Sequence, residues 1–168
     1  MIIMTKQQYN EIVGHSLQAV PNEACGILGG KAEEGVKYVA KVYLLTNVDN
    51  SPEHFSMDPK EQFAAVKDMR SNGWSLLGNF HSHPASPARP SEEDKRLAFD
   101  PEASYMILSL PDERNIALKS FRIAKGEVKE EEIIINQTGT FPPEIPARNP
   151  EGAFPHTGKE KDDGTGRL

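Results

Sequence analysis

The chain predicts an α/β fold in a single domain, with helices packed on a central mixed sheet. Two stretches carry helical periodicity and clear start signals, at about residues 5–20 and 58–72. Apolar runs of strand length alternate with them, at residues 25–30, 36–45, 75–83 and 104–110. The third observation is the length, 168 residues, which is ample for one core and short for two.

The first helix has Thr5 and Gln8 at capping-box spacing, and Tyr9, Ile12, Val13, Leu17 and Val20 along one face before Pro21 stops it. Cys25 to Gly30 and Val36 to Leu45 read as a hairpin joined by the polar turn Lys31 to Gly35. Asn47 to Ser56 is a polar loop, and by length and polarity it is the segment best suited to gate a site. The second helix starts at Asp58 with Pro59 in its first turn and Glu61 three residues after the cap. Phe63, Val66 and Met69 form its apolar side, and Asn72-Gly73 ends it. A strand over 75–83 enters a loop holding Pro84, Pro87 and Pro90, and a short helix begins at Ser91. Residues 104–110 read as a buried strand and 111–115 as a turn. Two more strands, over 116–124 and 127–135, flank Lys125-Gly126. Glu130-Glu131-Glu132 reads as a solvated strand edge. The domain is placed at 1–136. The remaining 32 residues hold five prolines and five glycines, too little apolar surface to offset chain entropy, so 137–168 reads as a flexible tail with Phe141, Ile145 and Phe154 as its apolar anchors.

Composition excludes several functions. No apolar run nears the roughly 18 residues of a membrane span. A net charge of −6 argues against nucleic-acid binding. The first residues show no basic segment followed by an apolar stretch, and the lone Cys25 fits a cytoplasmic home.

The chemistry concentrates in His81-Ser-His83-Pro-Ala-Ser-Pro-Ala-Arg-Pro-Ser91-Glu-Glu-Asp94. Residues two apart on a strand share a face, so His81 and His83 present their imidazoles together. Two imidazoles and a carboxylate suit Zn2+ and leave a fourth position for water. Ser91 and Asp94 also have the spacing of a capping box, which explains the helix start without any metal. Cys25 could act as a nucleophile with His81 or His83 as base, but a lone cysteine heading an apolar strand usually packs as a small hydrophobe. His54 sits where it could face a cleft or solvent, His15 falls near the apolar face of the first helix, and His156 has no assigned role. The His-x-Glu and Cys-x-x-Cys elements of zinc deaminases are absent.

The pattern His-Ser-His-Pro, with seven residues to Ser91 and ten between His83 and Asp94, resembles the JAMM (MPN+) metalloprotease motif. Glu23, within Pro-Asn-Glu-Ala-Cys-Gly-Ile-Leu-Gly-Gly, stands where that motif has its upstream glutamate, and the Glu-Ala-Cys-Gly run looks like bacterial stand-alone members. The resemblance spans about residues 5–135. It implies a curved, partly barrel-like mixed sheet of the cytidine-deaminase-like kind. It also implies His81, His83 and Asp94 as zinc ligands, Glu23 as general acid/base and Ser91 as the oxyanion donor. The function it implies is hydrolysis of a peptide or isopeptide bond after the Gly-Gly C-terminus of a ubiquitin-like or sulfur-carrier protein. The rival is a non-catalytic interaction module that keeps zinc for structure, and a fourth ligand from His54 or Cys25 would favour it.

Overall fold

The computed structural model describes residues 1–111 and 115–137. The chain runs β1 (Ile2–Thr5), α1 (Lys6–Ala19), β2 (Cys25–Glu33), β3 (Val36–Leu45), α2 (Pro59–Ser71), β4 (Ser75–His83), α3 (Glu92–Leu97), β5 (Ser104–Ser109), β6 (Ala117–Ala124), β7 (Glu127–Glu131) and β8 (Ile133–Asn136). The strands form one mixed sheet in the order β7-β6-β5-β4-β2-β3-β1-β8. Its two outermost strands, β7 and β8, are separated in the chain by Glu132 alone. Opposite ends of a sheet can be that close only if it curls round, so connectivity imposes the curved, nearly closed form.

Two strand assignments differ from expectation. Residues 127–135 are not one strand: the break at Glu132 sends β8 across to pair in parallel with β1. β1 itself was not foreseen, because Ile2–Thr5 is too short to show a period beside a capped helix, yet it fills the slot between β3 and β8. The hairpin turn is also tighter. β2 continues to Glu33, and Glu34 (φ 49°) with Gly35 (φ 80°) makes a two-residue turn with both residues left-handed, the twist-matched form for a hairpin.

Both large helices cap as their sequences indicate. Thr5 and Gln8 form the reciprocal capping box, and Asp58 accepts from the Lys60 and Glu61 amides. Glu61 does not close a box; it turns to the Thr46 amide (2.6 Å) and hydroxyl (2.9 Å), tying α2 to the end of β3. The buried stripe of α1 is Gln8, Ile12 and Ser16, while Leu17 and Val20 are 43% and 51% exposed. Gln8 is buried because its amide donates to the Val39 and Ala40 carbonyls. On α2 the buried pair is Ala65 and Met69, and Phe63 is 74% exposed. Six residues turn an α-helix by about 600°, so Phe63 lies roughly 120° away from Met69.

The sheet separates two apolar layers. On the α1 side Phe80, Leu28, Met106 and Leu108 pack with Ile12. On the other, Cys25, Ile27, Tyr43 and Leu45 pack with Ala65 and Met69 of α2, and Ile107, Phe121 and Ile123 with Ala88 and Ala98 near α3. Gly26 is required by this packing, since a Cβ there would stand 2.3 Å from the Phe80 ring. In the acidic run Glu130 and Glu132 are exposed as expected, and Glu131 is a further correction. Glu131 is buried, accepting from the Ser104 (2.6 Å) and Ser120 (2.9 Å) hydroxyls beside the buried Lys37. Burial raises its carboxyl, but those hydrogen bonds and the Lys37 charge outweigh it and hold the group below its usual range. It therefore acts as a charged polar plug where the sheet closes. From residue 138 on, the expected tail lies outside the described residues, as do His156 and part of the 111–115 turn. No described helix is long and apolar enough to cross a membrane.

Candidate metal centre

β4 runs antiparallel to β2, with Cys25 opposite His81, and parallel to β5, with His81 opposite Ile107. His81 and His83 therefore share the face that looks toward α2 and α3, and both are buried. Their Nε2 atoms stand 3.0 Å apart. The loop 84–90 returns the chain so that Asp94, in the first turn of α3, brings Oδ1 to 3.3 Å from His81 Nε2 and Oδ2 to 3.8 Å from His83 Nε2. Zinc bonds of roughly 2.0–2.1 Å in a tetrahedron put ligand atoms about 3.3 Å apart. The 3.0 and 3.3 Å separations around His81 fit that spacing.

Protonation suits a cation as well. His83 Nδ1 donates to the Pro87 carbonyl (2.9 Å), which leaves the Nε2 lone pair facing the cluster. Burial and the neighbouring His81 lower its pKa, against the pull of the Pro87 carbonyl and Asp94, so the ring favours the neutral form a metal needs. Burial alone would raise the Asp94 carboxyl, but the hydrogen bond and charge of His81 and the bonds from Ser91 hold it well below the usual carboxylate range. His81 Nδ1 is buried with no hydrogen-bond partner among the described residues. That ring is steadied by Phe55, stacked on it at 4.7 Å and 21°.

Asp94 answers both sequence readings at once. Its Oδ2 accepts from the Ser91 amide (2.7 Å) and hydroxyl (2.6 Å), and its own amide donates to Ser91 Oγ (3.1 Å), so the capping box is real. Oδ1 remains turned toward His81. Oδ2 caps the helix on the His83 side of the cluster while Oδ1 faces the His81 imidazole.

Glu23 enters from the segment before β2, with its Oε1 4.0 Å from His83 Nε2 and the residue 5% exposed. Burial, then the charges of Asp94, Glu93 and Glu53, push its carboxyl up to about 8. Glu23, His81, His83, Ser91 and Asp94 line a single cleft of about 870 Å³, so all five sequence candidates converge. His54 lines the same cleft, but its Nδ1 is 2.6 Å from Glu93 Oε2, and it stands apart from the ligand cluster. His15 is structural, its Nε2 lying 3.2 Å from the carbonyls of both Cys25 and Leu45.

Cys25 is fully buried, faces the Leu45 carbonyl, and has its thiol pushed up to about 12, by burial first and then by Glu61, Glu23 and Asp49. It offers neither a thiolate nucleophile nor a fourth ligand. Cys25→Ala is accordingly expected to keep catalytic turnover within about twofold, measured on the purified variant, with only the modest stability cost of a small core truncation. Sequence reasoning missed Phe55, Asn47 and Ser82, which shape the cleft through ring stacking and backbone bonds. Their signals were indirect: Asn47 and Phe55 lie in the 47–56 loop singled out as a gate, and Ser82 stands between the two histidines.

A curved α/β sheet that brings two imidazoles and an ionised carboxylate together in a cleft defines a candidate metal-dependent hydrolase. More particularly, the chain belongs to the prokaryotic homologues of the JAB domain, whose family model matches residues 5–124. It is 32% identical over 133 residues to the CysO-cysteine peptidase of Mycobacterium tuberculosis, covering 79% of this chain and 90% of that one. To the desampylase of Pyrococcus furiosus it is 34% identical over 92 residues, 55% of this chain and 63% of the relative. A Desulfitobacterium hafniense protein solved in solution superimposes with a TM-score of 0.76 at 60% identity, covering 82% and 94% of the two chains.

Proposed function

We propose that this chain is a zinc-dependent peptidase that hydrolyses a peptide or isopeptide bond after the Gly-Gly C-terminus of a ubiquitin-like or sulfur-carrier protein. The observation that carries the reading is the convergence of His81 and His83 with ionised Asp94 beside the buried Glu23 carboxyl. The relatives support the substrate class, being named for cleaving CysO-cysteine and for desampylation. His81, His83 and Asp94 would hold the zinc. When bound, it supplies a Lewis acid for the scissile carbonyl and makes water a nucleophile near neutral pH.

The rest of the chemistry falls to the chain's own groups. Glu23 takes a proton from the attacking water and returns it to the leaving amine; burial and the neighbouring carboxylates raise its affinity for the proton it must carry. Ser91 donates to the developing oxyanion. Its hydroxyl is held by Asp94 Oδ2, and turning it toward substrate leaves Asp94 still bound by the Ser91 amide at 2.7 Å. A structural zinc site is closed by four protein ligands. Neither His54 nor Cys25 joins the cluster of His81, His83 and Asp94, so the interaction-module alternative lacks the feature that would favour it.

Metal removal tests the reading. Chelator-treated protein is expected to lose cleavage of a carrier conjugate linked through Gly-Gly, and one equivalent of zinc to restore it. Cleavage that persists at full rate in rigorously stripped protein would sink the proposal, as would stoichiometric zinc with no cleavage of any Gly-Gly-linked conjugate.

A further inference from the structure

Glu23 reaches the cleft from a segment that is neither helix nor strand, so something other than regular structure must aim it. Four hydrogen bonds do so. The Glu23 amide donates to the Ser51 carbonyl (2.9 Å), and the Glu23 carbonyl accepts from Asn47 Nδ2 (3.0 Å). On the next residue, the Ala24 amide donates to Ser82 Oγ (2.8 Å), and the Ala24 carbonyl accepts from the Ser82 amide (2.9 Å). The first pair ties Glu23 to the loop over 47–56. The second ties it to β4 at the residue between the two histidines.

Asn47 spends its whole hydrogen-bonding capacity here. Besides Glu23, Nδ2 donates to the His54 carbonyl (3.0 Å), while Oδ1 accepts from the Asp49 and Ser56 amides (3.1 Å each). A side-chain amide has two donors and two acceptor sites, and all four are used. The loop so gathered also lays Phe55 on the His81 ring and His54 on Glu93, the neighbour of Asp94. Ser82 is fully buried, and its hydroxyl is the partner of the Ala24 amide. Without that hydroxyl, a buried N–H is left with nothing to bond, and the segment shifts to find water or another acceptor.

We infer that Asn47 and Ser82 are positioning residues for the reaction, fixing the Glu23 backbone against the loop on one side and the metal-ligand strand on the other. The inference rests on Glu23 being the proton-transfer group. A misplacement of about 1 Å in a reacting group costs on the order of 10²-fold in rate, so two clamps acting on one short segment bear directly on turnover. The competing account is that both residues only stabilise the fold.

The test uses full-length, zinc-loaded Asn47→Ala and Ser82→Ala, with kcat, KM, zinc content and melting temperature measured on a Gly-Gly-linked conjugate. The expected result is a fall in kcat of roughly 10- to 100-fold, with KM within about threefold and zinc stoichiometric. Ser82→Thr, which keeps the hydroxyl, should recover most of the rate. In a Glu23→Gln background neither substitution should lower the residual rate further, because groups acting through one another are non-additive. If Asn47→Ala does not fold, Asn47→Asp, which keeps both acceptor bonds and loses both donors, takes its place. Unchanged kcat with lowered melting temperatures overturns the inference, and so does a full further loss on top of Glu23→Gln. The two readings fail separately: a fully active Glu23→Gln enzyme removes the proton-transfer role assigned to Glu23, whereas an inactive one alongside fully active Asn47 and Ser82 variants removes only the positioning roles.

Discussion

Glu23→Gln is expected to lower turnover by about 10²–10⁴-fold, the range for losing a general acid/base, while zinc stays stoichiometric. The two outcomes separate because Glu23 is near the ligand cluster without joining it: Oε1 is 4.0 Å from His83 Nε2, and the donors that converge are those of His81, His83 and Asp94. Glutamine keeps the shape and the backbone bonds that hold the segment, but it cannot accept and release a proton near neutral pH. A stability measurement adds an independent sign. Glu23 is buried among Asp94, Glu93 and Glu53, and all three oppose its ionisation. With its carboxyl pushed up to about 8, Glu23 in chelator-stripped protein must take up a proton to fold at neutral pH, a cost the amide is spared, so the melting temperature should hold or rise. A loss of activity accompanied by a lower melting temperature and lost zinc would instead mark Glu23 as a structural residue. Gain of stability with loss of function is the usual mark of a group kept in an unfavourable setting for its chemistry.

How far the sequence foretold this arrangement depends on the range of the forces involved. The capping boxes at Thr5 and Ser91, the start of α2 at Asp58 and the strand pairing of His81 with His83 were legible, because each depends on residues within a few positions of one another. The convergence of Asp94 was legible from spacing, since a ten-residue return is short. Glu23 was readable only through family resemblance; nothing local tells a solvated glutamate at a helix-strand junction from one buried 4.0 Å from a histidine. Asn47 was hidden for the same reason, as its work is done through backbone groups supplied by residue 23 and by its own loop. The break at Glu132 was invisible because it follows from closure of the sheet: pairing with β1 draws Ile133–Asn136 away from β7. Glu131 misled for a related reason, its partners Ser104 and Ser120 lying on other strands.

Asp94 is where capping and metal binding can be measured apart, and Asp94→Asn is expected to weaken zinc binding by at least about 100-fold, beyond the roughly 10- to 100-fold seen on losing a supporting group around a metal. The carboxylate does two things with two oxygens: Oδ2 receives the Ser91 amide and hydroxyl, and Oδ1 faces His81. An asparagine has one oxygen. Placed on the Ser91 amide, it turns an NH2 toward the imidazoles, where a donor cannot ligate. Placed toward the imidazoles, it sets NH2 against the Ser91 N–H, and the side-chain half of the capping box is lost while Ser91 Oγ still accepts from the residue-94 amide. The substitution therefore cannot preserve both roles, and it also removes the negative charge that offsets a divalent cation. Ser91→Ala supplies the complementary measurement. It deletes the hydroxyl of the capping box and leaves the carboxylate, so it should cost about 1 kcal/mol of stability, the usual value of a lost cap, with zinc affinity reduced far less than in Asp94→Asn. Competition against a chromogenic chelator reads the affinities, and thermal melting reads the cap. Should Asp94→Asn retain native zinc affinity while losing only the stability that Ser91→Ala loses, Asp94 would be a cap and nothing more. A Ser91→Ala enzyme that binds zinc normally but turns over about 10²-fold more slowly would place its hydroxyl on the oxyanion, since removal of one such donor costs that much.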